Sequence, residues 1–390
     1  MDNAATSFPK PPGVLEAMSR YAAELGASAG RGAYREALET GAMIAECRRR
    51  LARLFNATSP ENFVFTLNCT DGLNLAIKGL FDGERRGHVI CSDIDHNSVL
   101  RPLNALADRG WISVSRLPID RTSGLLDPDD VRNAIRPDTR LIVVTHVSNV
   151  TGTVQPVREI GRIARERGIT YLVDAAQAVG HMPIDVQADL IDLMAAPGHK
   201  GLLGPLGTGF LYVRPGLEKL LYTTREGGTG SVSEHDRQPD FMPDRFEAGS
   251  HNAIGIAGLC ESLGWIARQT VEKLAAHERR LTAAFLEELR NIDGLHLYGP
   301  ASPDSRGSVF SITIDGYSAA ELSAVLEMEF GILTRPGIHC APRVHQTLGT
   351  LQRGGTTRFS FGPFLETDDV RFAADALRQI ARARQHVHTA

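Results

Sequence analysis

An acid and a lysine, each at the end of a predicted strand, carry the clearest chemistry in this sequence. Asp174 closes the apolar run Tyr171-Leu-Val-Asp, which has the pattern of a buried parallel strand. Lys200 follows in the next strand-and-turn unit, between His199 and a glycine-rich turn. Ligands of open α/β sheets bind at the carboxyl ends of the strands, so we expect these two side chains to meet there. Taken alone, each fragment is also typical of a helix cap or a solvated loop.

A buried acid that faces a lysine suits pyridoxal phosphate (PLP). The lysine amine can hold the aldehyde covalently, and the acid can keep the pyridine nitrogen protonated so that the ring accepts electrons. Gln177, three residues after Asp174, can donate to the phenolate oxygen on the other side of the ring. Because two such contacts fix the plane of the ring, we predict a PLP site with Lys200, Asp174 and Gln177 around it.

A phosphate-binding turn is predicted where the strand Phe63-Val-Phe-Thr leads into a helix. Free backbone N–H groups at a helix N-terminus bind anions, and the hydroxyl of Thr70 adds a donor. A plain helix cap is the alternative use of Thr70. His96 comes directly after another short apolar strand, so it is expected at the same sheet edge as Asp174.

The order of the predicted elements indicates two domains. Strands alternate with helical runs up to about residue 213, which favours a mostly parallel, doubly wound α/β sheet. From about Asn252 long helical runs are interrupted by short strands, which favours an α+β unit. We therefore predict an N-terminal segment and large PLP-binding domain at 1–255, and a small C-terminal domain at 256–390 that carries a reactive cysteine loop.

Composition limits the kind of partner. The chain has 390 residues, of which 42% are hydrophobic, and this is enough to bury one large and one smaller core. Its formal net charge of −4 gives no basic excess for nucleic acid. The chain has no run of about 18 apolar residues and does not open with a signal-peptide pattern. We expect a cytoplasmic protein that acts on a small molecule, without nucleic acid or membrane as a partner.

One of the five cysteines has a different setting from the others. The odd number and wide spacing argue against a disulfide framework or a metal site. Cys340 lies among glycine, histidine and prolines, so we predict that it is exposed on a loop. A free thiol is only slightly ionised at neutral pH, and a cationic or histidine neighbour such as His339 would help to form the thiolate. The other four lie in apolar or helical runs: Cys47, Cys69, Cys91 and Cys260.

Over nearly its whole length the sequence resembles the class V aminotransferase family of fold type I PLP enzymes. The likeness is carried by Asp2-Asn-Ala-Ala-Thr6, Asp174-Ala-Ala-Gln177 and Gly198-His-Lys-Gly201. The loop Arg335-Pro-Gly-Ile-His-Cys-Ala341 resembles the catalytic loop of group II cysteine desulfurases and selenocysteine lyases. The resemblance implies the PLP-dependent transferase fold type I, with a mostly parallel seven-stranded sheet, and a homodimer.

The resemblance also implies roles for residues around the cofactor. His96 would stack on the pyridine ring as part of the catalytic machinery, and Asn149, at the end of a strand predicted over 141–149, would lie near the phenolate and the substrate. Ser250 would reach the phosphate of the neighbouring subunit, for which an ordinary helix cap is the alternative. The phosphate would otherwise be held by the turn that contains Cys69 and Thr70, and by His199.

Three further residues are assigned to the substrate, and one position departs from the family. Asn3 and Ala5, in the proline-rich opening segment, would line the substrate pocket. Arg358 would clamp the substrate carboxylate, since a guanidinium binds a carboxylate through two donors, and a surface salt bridge is the alternative. Many relatives carry a hydroxyl residue three before the lysine, whereas this sequence has Pro197, which cannot donate.

The implied activity is that of a PLP-dependent cysteine desulfurase. L-cysteine would be converted to L-alanine, with its sulfur left as a persulfide on Cys340 and then passed to an acceptor protein or thiol. A selenocysteine lyase would share all these residues, although selenium leaves without nucleophilic help. Another PLP-dependent lyase or epimerase would make Cys340 incidental. A non-catalytic regulator would need an appended module, for which we expect no spare length.

Overall fold

The large domain is built on one seven-stranded sheet. The computed structural model describes residues 1–30, 32–232 and 234–388. The strand order is β1-β7-β6-β5-β4-β2-β3, and only β7 runs antiparallel to its neighbours. The predicted mostly parallel sheet is confirmed. Its strands are β1 (Phe63–Thr66), β2 (Gly87–Ser92), β3 (Ile112–Leu117), β4 (Thr139–Thr145), β5 (Thr170–Asp174), β6 (Leu193–Pro197) and β7 (Gly209–Val213).

Helices cover both faces of this sheet. Their apolar stripes pack on the central strands, which are therefore apolar on both faces. Strands β5 and β6 are almost wholly buried, as expected for parallel strands between two helical layers. Apolar residues of α2, α6 and α7 pack on one face, and those of α3 and α4 pack on the other. The helices of this part are α1 (Val14–Arg20), α2 (Arg35–Leu54), α3 (Cys69–Leu80), α4 (Asn97–Asp108), α5 (Pro128–Ala134), α6 (Val157–Glu166) and α7 (Ala253–Gln269).

The C-terminal part is the predicted α+β unit. Its four strands form an antiparallel sheet in the order β10-β11-β9-β8. A separate apolar core begins at Leu281 and includes side chains of α8, α9 and α11. The elements are α8 (Val271–Leu289), β8 (Leu295–Tyr298), β9 (Val309–Ile314), α9 (Ala319–Phe330), β10 (Arg335–Gly337), α10 (Pro342–Thr347), β11 (Thr356–Ser360) and α11 (Thr367–His388). The domain boundary after residue 255 stays a prediction, since α7 packs in the first core.

The N-terminal segment lies as a strap that contacts both parts of the chain. The Ser360 N–H at the end of β11 donates to the Met1 carbonyl at 2.8 Å, and the Ala4 N–H donates to Ser360 Oγ at 2.8 Å. The Ser7 N–H donates to the carbonyl of His199 at 3.0 Å. The strap therefore joins the C-terminal sheet to the turn that carries Lys200. Among the described helices, none has the length and apolarity to cross a membrane.

The strand predicted to run to Asn149 ends earlier, at Thr145. Residues 146–154 fold back as a tight turn, in which Val147 pairs with Val154. The hydroxyl of Ser148 accepts the N–H groups of Val150 and Thr151 at 3.2 and 3.1 Å, and these bonds replace a strand ladder. Asn149 therefore sits at the tip of a side-chain-capped turn.

Candidate active site

One cavity lies where the carboxyl ends of β4, β5 and β6 meet the start of α3. The apolar strands bring their polar end residues to this edge, as the parallel arrangement requires. Pro197, at the end of β6, also contributes to the wall. The structure places these predicted residues around the cavity: Cys69, Thr70, His96, Asn149, Asp174, Gln177, His199 and Lys200.

One carboxylate oxygen of Asp174 is hydrogen-bonded and the other is free. Its Oδ1 accepts a hydrogen bond from the Ala176 N–H at 3.0 Å and another from the thiol of Cys69 at 3.5 Å. Its Oδ2 has no partner among residues that the structure describes. Burial raises the pKa of Asp174, and burial together with the Asp174 charge raises that of Cys69 well above its usual value. A pyridinium N–H beside Oδ2 would compensate this buried carboxylate.

Lys200 stands on the turn after β6 and lines the cavity. Burial lowers the pKa of Lys200, and the neighbouring Cys69 and Asp174 oppose this effect. A lowered pKa favours the neutral amine that attacks an aldehyde. The turn is packed tightly from behind, because a Cβ built on Gly201 would lie only 2.2 Å from the carbonyl oxygen of Val179. Glycine is therefore required directly after the lysine.

His96 caps α4 and presents a neutral ring to the cavity. Its Nδ1 accepts the Ser98 N–H at 3.0 Å, and the Ser98 hydroxyl lies 2.9 Å from the same nitrogen and 2.8 Å from the hydroxyl of Thr70. Burial, and then the positive charge of Lys200, lowers the pKa of His96 to about 4. The sequence analysis did not predict the role of Ser98. A serine two residues after a histidine at a helix start can hydrogen-bond to the ring, and this spacing is visible in the sequence.

The donors at the start of α3 fit a phosphate. The side chain of Asn68 caps the helix and accepts the Asp71 N–H at 3.0 Å. The first two helical N–H groups, of Cys69 and Thr70, have no partner within the described chain and are free to bind an anion. The Nδ1 of His199 is buried and also unpartnered in that part of the chain. These groups could donate to a phosphate where Pro197 cannot.

Ser250 lies outside this cavity. It is exposed and lines a separate surface depression together with Thr208 and Asn252. A contact with the cofactor of a neighbouring subunit would need a second chain. The cross-subunit role of Ser250, and the homodimer itself, therefore stay predictions.

Arg358 is a buried arginine that is ion-paired with Asp2, and its role as a carboxylate clamp stays a prediction. It is 1% exposed, and its Nη2 donates to the carboxylate of Asp2 at 2.9 Å. Its Nη1 donates to the Asn149 carbonyl at 3.2 Å, and its buried Nε has no partner among the described groups. A substrate carboxylate would satisfy that free donor. Sequence reasoning missed Asp2, because its contact with Arg358 spans nearly the whole chain.

The other strap residues serve the site less directly than expected. The side-chain amide of Asn3 donates to the Ser360 carbonyl at 3.4 Å, and the Ala5 N–H donates to the Asp2 carbonyl at 3.1 Å. The side chain of Gln177 donates instead to the carbonyl of Ala4, at 2.9 Å. Gln177 keeps a second amide hydrogen for a phenolate, while Asn3 and Ala5 shape the strap.

Cys340 is the exposed cysteine, as predicted, and the other four are buried. Cys340 and His339 both adopt left-handed backbone angles, with φ of 59° and 53°. Such angles are costly for side chains larger than glycine and persist where surrounding contacts hold them. The Asn97 N–H donates to the Cys340 carbonyl at 2.9 Å, and the Asn149 side chain donates to the His339 carbonyl at 2.7 Å. Both contacts fasten the loop to the large domain.

His339 does not take the role of a cationic partner for the thiol. It is buried, and its Nε2 is hydrogen-bonded to the hydroxyl of Thr356 at 3.1 Å. Burial, and then the charge of Arg358, lowers the pKa of His339 to about 2, so its ring is neutral. Arg335 is the cation at the thiol, with its Nη2 3.8 Å from Cys340 Sγ. The left-handed turn directs His339 inward and leaves Arg335 beside the thiol.

A buried acid–base pair joins the domains behind the lysine turn. His181 Nδ1 lies 2.9 Å from one carboxylate oxygen of Glu278 and 3.1 Å from the other. Glu278 belongs to α8, whereas the ring of His181 packs on Gly201 of the large domain. Burial opposes a charge on His181, but Glu278 outweighs it and raises the pKa of His181.

Glu278→Gln should therefore destabilise the protein in a pH-dependent manner. The folded pKa of His181 is raised, so the pairing is fully present below its unfolded pKa and is lost as pH rises through the folded value. We expect a loss of about 3 kcal/mol near pH 6, since a buried charge would be left alone, and a much smaller loss near pH 9. Urea unfolding at the two pH values measures this difference.

Glu287→Gln is the matched control, because Glu287 lies on the same helix in an exposed pair with Arg290. Such a surface pair is worth little, so this variant should unfold like the parent protein at both pH values. Equal destabilisation by Glu278→Gln at both pH values would show that the pair is not ionised.

The sequence matches a known protein family over nearly its whole length. The family model described as aminotransferase class-V matches residues 1–372. The chain belongs to the aminotransferase class-V family. It is 37% identical to a "probable cysteine desulfurase" of Methanothermobacter thermautotrophicus, over 97% of this chain and 94% of the relative. It is 32% identical to a cysteine desulfurase of Escherichia coli O157:H7, over 87% of this chain and 83% of that protein.

Solved structures of two proteins named cysteine desulfurase have the same fold. The apo structure of a cysteine desulfurase from Thermococcus onnurineus NA1 superposes with a TM-score of 0.91 at 31% identity, over 98% of this chain and 94% of that one. The cysteine desulfurase CsdA of Escherichia coli, solved in an S-sulfonic acid form, gives a TM-score of 0.85 at 28% identity, over the same shares. The predicted fold type is thereby confirmed.

Proposed function

We propose that this protein is a PLP-dependent cysteine desulfurase, which converts L-cysteine to L-alanine and receives the sulfur on Cys340 as a persulfide. The observation that carries the proposal is the placement of one exposed thiol. Its loop is fastened to the large domain through Asn97 and Asn149, next to a cavity with a buried acid and a lysine of lowered pKa. The similarity to proteins named cysteine desulfurase supports the same activity.

The residues present fit PLP, which the class-V family implies. Lys200 would hold the aldehyde, Asp174 the pyridine nitrogen through its free Oδ2, and Gln177 the phenolate oxygen. The phosphate would take the free N–H groups at the start of α3 and the unpartnered nitrogen of His199. When bound, PLP supplies an electron sink for the charge that develops at the substrate Cα.

The protein's own groups then act on the substrate from two sides. Arg358 orients the carboxylate, and its burial in a water-poor setting strengthens that contact. Lys200, whose pKa is lowered, moves the Cα proton. The thiolate of Cys340, with Arg335 beside it, attacks the substrate sulfur and breaks its bond to carbon.

Anaerobic incubation with L-cysteine tests the proposal. We expect alanine in the solution, by amino-acid analysis, and one added sulfur atom on Cys340, by mass spectrometry of the intact protein and of the Cys340 peptide. PLP-loaded protein that gives no alanine would overturn the proposal. Alanine formed from selenocysteine and not from cysteine would overturn the assignment of L-cysteine as the substrate and favour a selenocysteine lyase.

Arg358→Lys should weaken the use of L-cysteine about thirtyfold in kcat/KM. A lysine has no counterpart of the free Nε donor of Arg358, and a lost hydrogen bond to a charged group is worth about 2 kcal/mol. Cysteamine, which lacks the carboxylate, should bind the parent and the variant equally. Binding is measured for both ligands by the change in cofactor absorbance.

Arg371→Lys is the control for this substitution, because Arg371 is exposed on α11 and paired with Asp368 at the surface. It should leave kcat/KM unchanged. If Arg358→Lys weakens the binding of cysteamine as much as that of L-cysteine, Arg358 supports the fold of the site and does not bind the carboxylate.

A further inference from the structure

A second concavity, of about 350 Å³, opens directly beside Cys340. It runs between α3 and α4, and we call it the acceptor groove. Its wall includes Cys340, Lys78, Arg101 and Asn74. His96 lines both this groove and the cofactor cavity, so the two spaces adjoin at the ring of that residue. The volume is within the range of pockets that hold small ligands.

The acceptor groove is positively charged. Lys78 and Arg101 are its charged residues, and within the described chain the side chain of neither has a hydrogen-bond or ion-pair partner. No aspartate or glutamate is among the described residues that line it. Arg335 adds a third cation at the Cys340 sulfur, 3.8 Å away. Unpaired cations in a concave site raise the local concentration of anions.

We propose that the acceptor groove binds a small thiol that carries carboxylates, and that this thiol takes the sulfur from Cys340. The inference rests on the proposed function and names its acceptor. Lys78 and Arg101 would hold the carboxylates, and the thiol would point toward Cys340. A pocket of this size between two helices fits a small molecule, whereas a folded acceptor protein needs a broader surface of some 800 Å².

The transfer needs no further reactant. The thiolate of the acceptor attacks the outer sulfur of the Cys340 persulfide, and a new sulfur–sulfur bond forms. The bond between the outer sulfur and the sulfur of Cys340 breaks, and its electron pair stays on Cys340. Cys340 leaves as a thiolate beside Arg335, which stabilises the negative charge. The acceptor departs as a persulfide, with the proton of the original persulfide.

Discharge of a pre-formed persulfide tests the acceptor groove. The full-length, PLP-loaded protein is treated with L-cysteine without oxygen, desalted, and mixed with mercaptosuccinate or with uncharged thioglycerol at equal thiolate concentration. Loss of the added sulfur from Cys340 is followed by intact mass. We expect mercaptosuccinate to discharge the persulfide about tenfold faster at low salt, and the advantage to shrink as salt rises.

The double variant Lys78→Gln, Arg101→Gln should lose this advantage while still forming alanine in the first turnover at the parent yield. The double variant Lys219→Gln, Arg86→Gln removes the same charge from exposed positions outside the groove and should keep the advantage. Equal discharge by the two thiols, or an advantage that survives the groove variant, would overturn the inference alone. A persulfide that resists both thiols would overturn it in favour of a protein acceptor. Absence of alanine and of persulfide would overturn the proposed function and the inference with it.

Discussion

Replacing Cys340 with alanine should lower alanine formation from L-cysteine by roughly a thousandfold or more, as expected for loss of a catalytic nucleophile. Cys340 is the exposed thiol. Cys69 also lines the cofactor cavity, but its thiol donates to Asp174, and burial raises its pKa well above the usual value, so it stays protonated and cannot take the place of Cys340. Cofactor binding should stay as in the parent protein, because Cys340 is not in the wall of the cofactor cavity. Amino-acid analysis measures the first effect, and the visible absorbance of the loaded protein measures the second.

Cys91→Ala is the matched control, since it removes a thiol that is buried in the core of the large domain. Burial raises the pKa of Cys91 far above its usual value, which keeps that thiol protonated and unreactive. This variant should form alanine at nearly the parent rate, with a modest loss of thermal stability. Full activity of Cys340→Ala would remove the thiol from the mechanism and favour an elimination chemistry on the same scaffold.

The residues at strand ends were the ones that sequence could place. Asp174, Lys200 and His96 each follow an apolar run, and parallel strands carry their carboxyl ends to one edge whatever the details of packing. The repeating strand–helix order makes these strands parallel, so their carboxyl ends, and the side chains that follow them, lie close together. Helix α11 has an apolar stripe along its length, and such helical periodicity is a local pattern that a sequence shows directly.

Contacts between distant segments could not be predicted in this way. The pairing of Arg358 with Asp2 joins the two ends of the chain, and no local pattern encodes it. Strands β8 and β10 are short and largely half-buried, so they lack the alternation or the apolar run that marks a strand. His339 was predicted to help form the thiolate of Cys340, and this was wrong for a local reason. Two successive residues with left-handed backbone angles turn the His339 side chain toward the core and leave Cys340 exposed.

Lys200→Ala should abolish covalent attachment of PLP and reduce alanine formation by about a thousandfold or more, because the variant lacks both the anchoring amine and the group that moves the Cα proton. Borohydride reduction followed by peptide mass analysis measures attachment, and the parent protein should carry the reduced cofactor on Lys200. Lys10 is the lysine to exclude, since its ammonium group contacts the His199 carbonyl at 3.3 Å and burial lowers its pKa to about 8. Lys10→Ala should therefore keep the cofactor on Lys200. Reduced cofactor found on Lys10, or on any lysine of the Lys200→Ala variant, would contradict the assignment, whereas label confined to Lys200 would place the amine at the sheet edge beside Asp174.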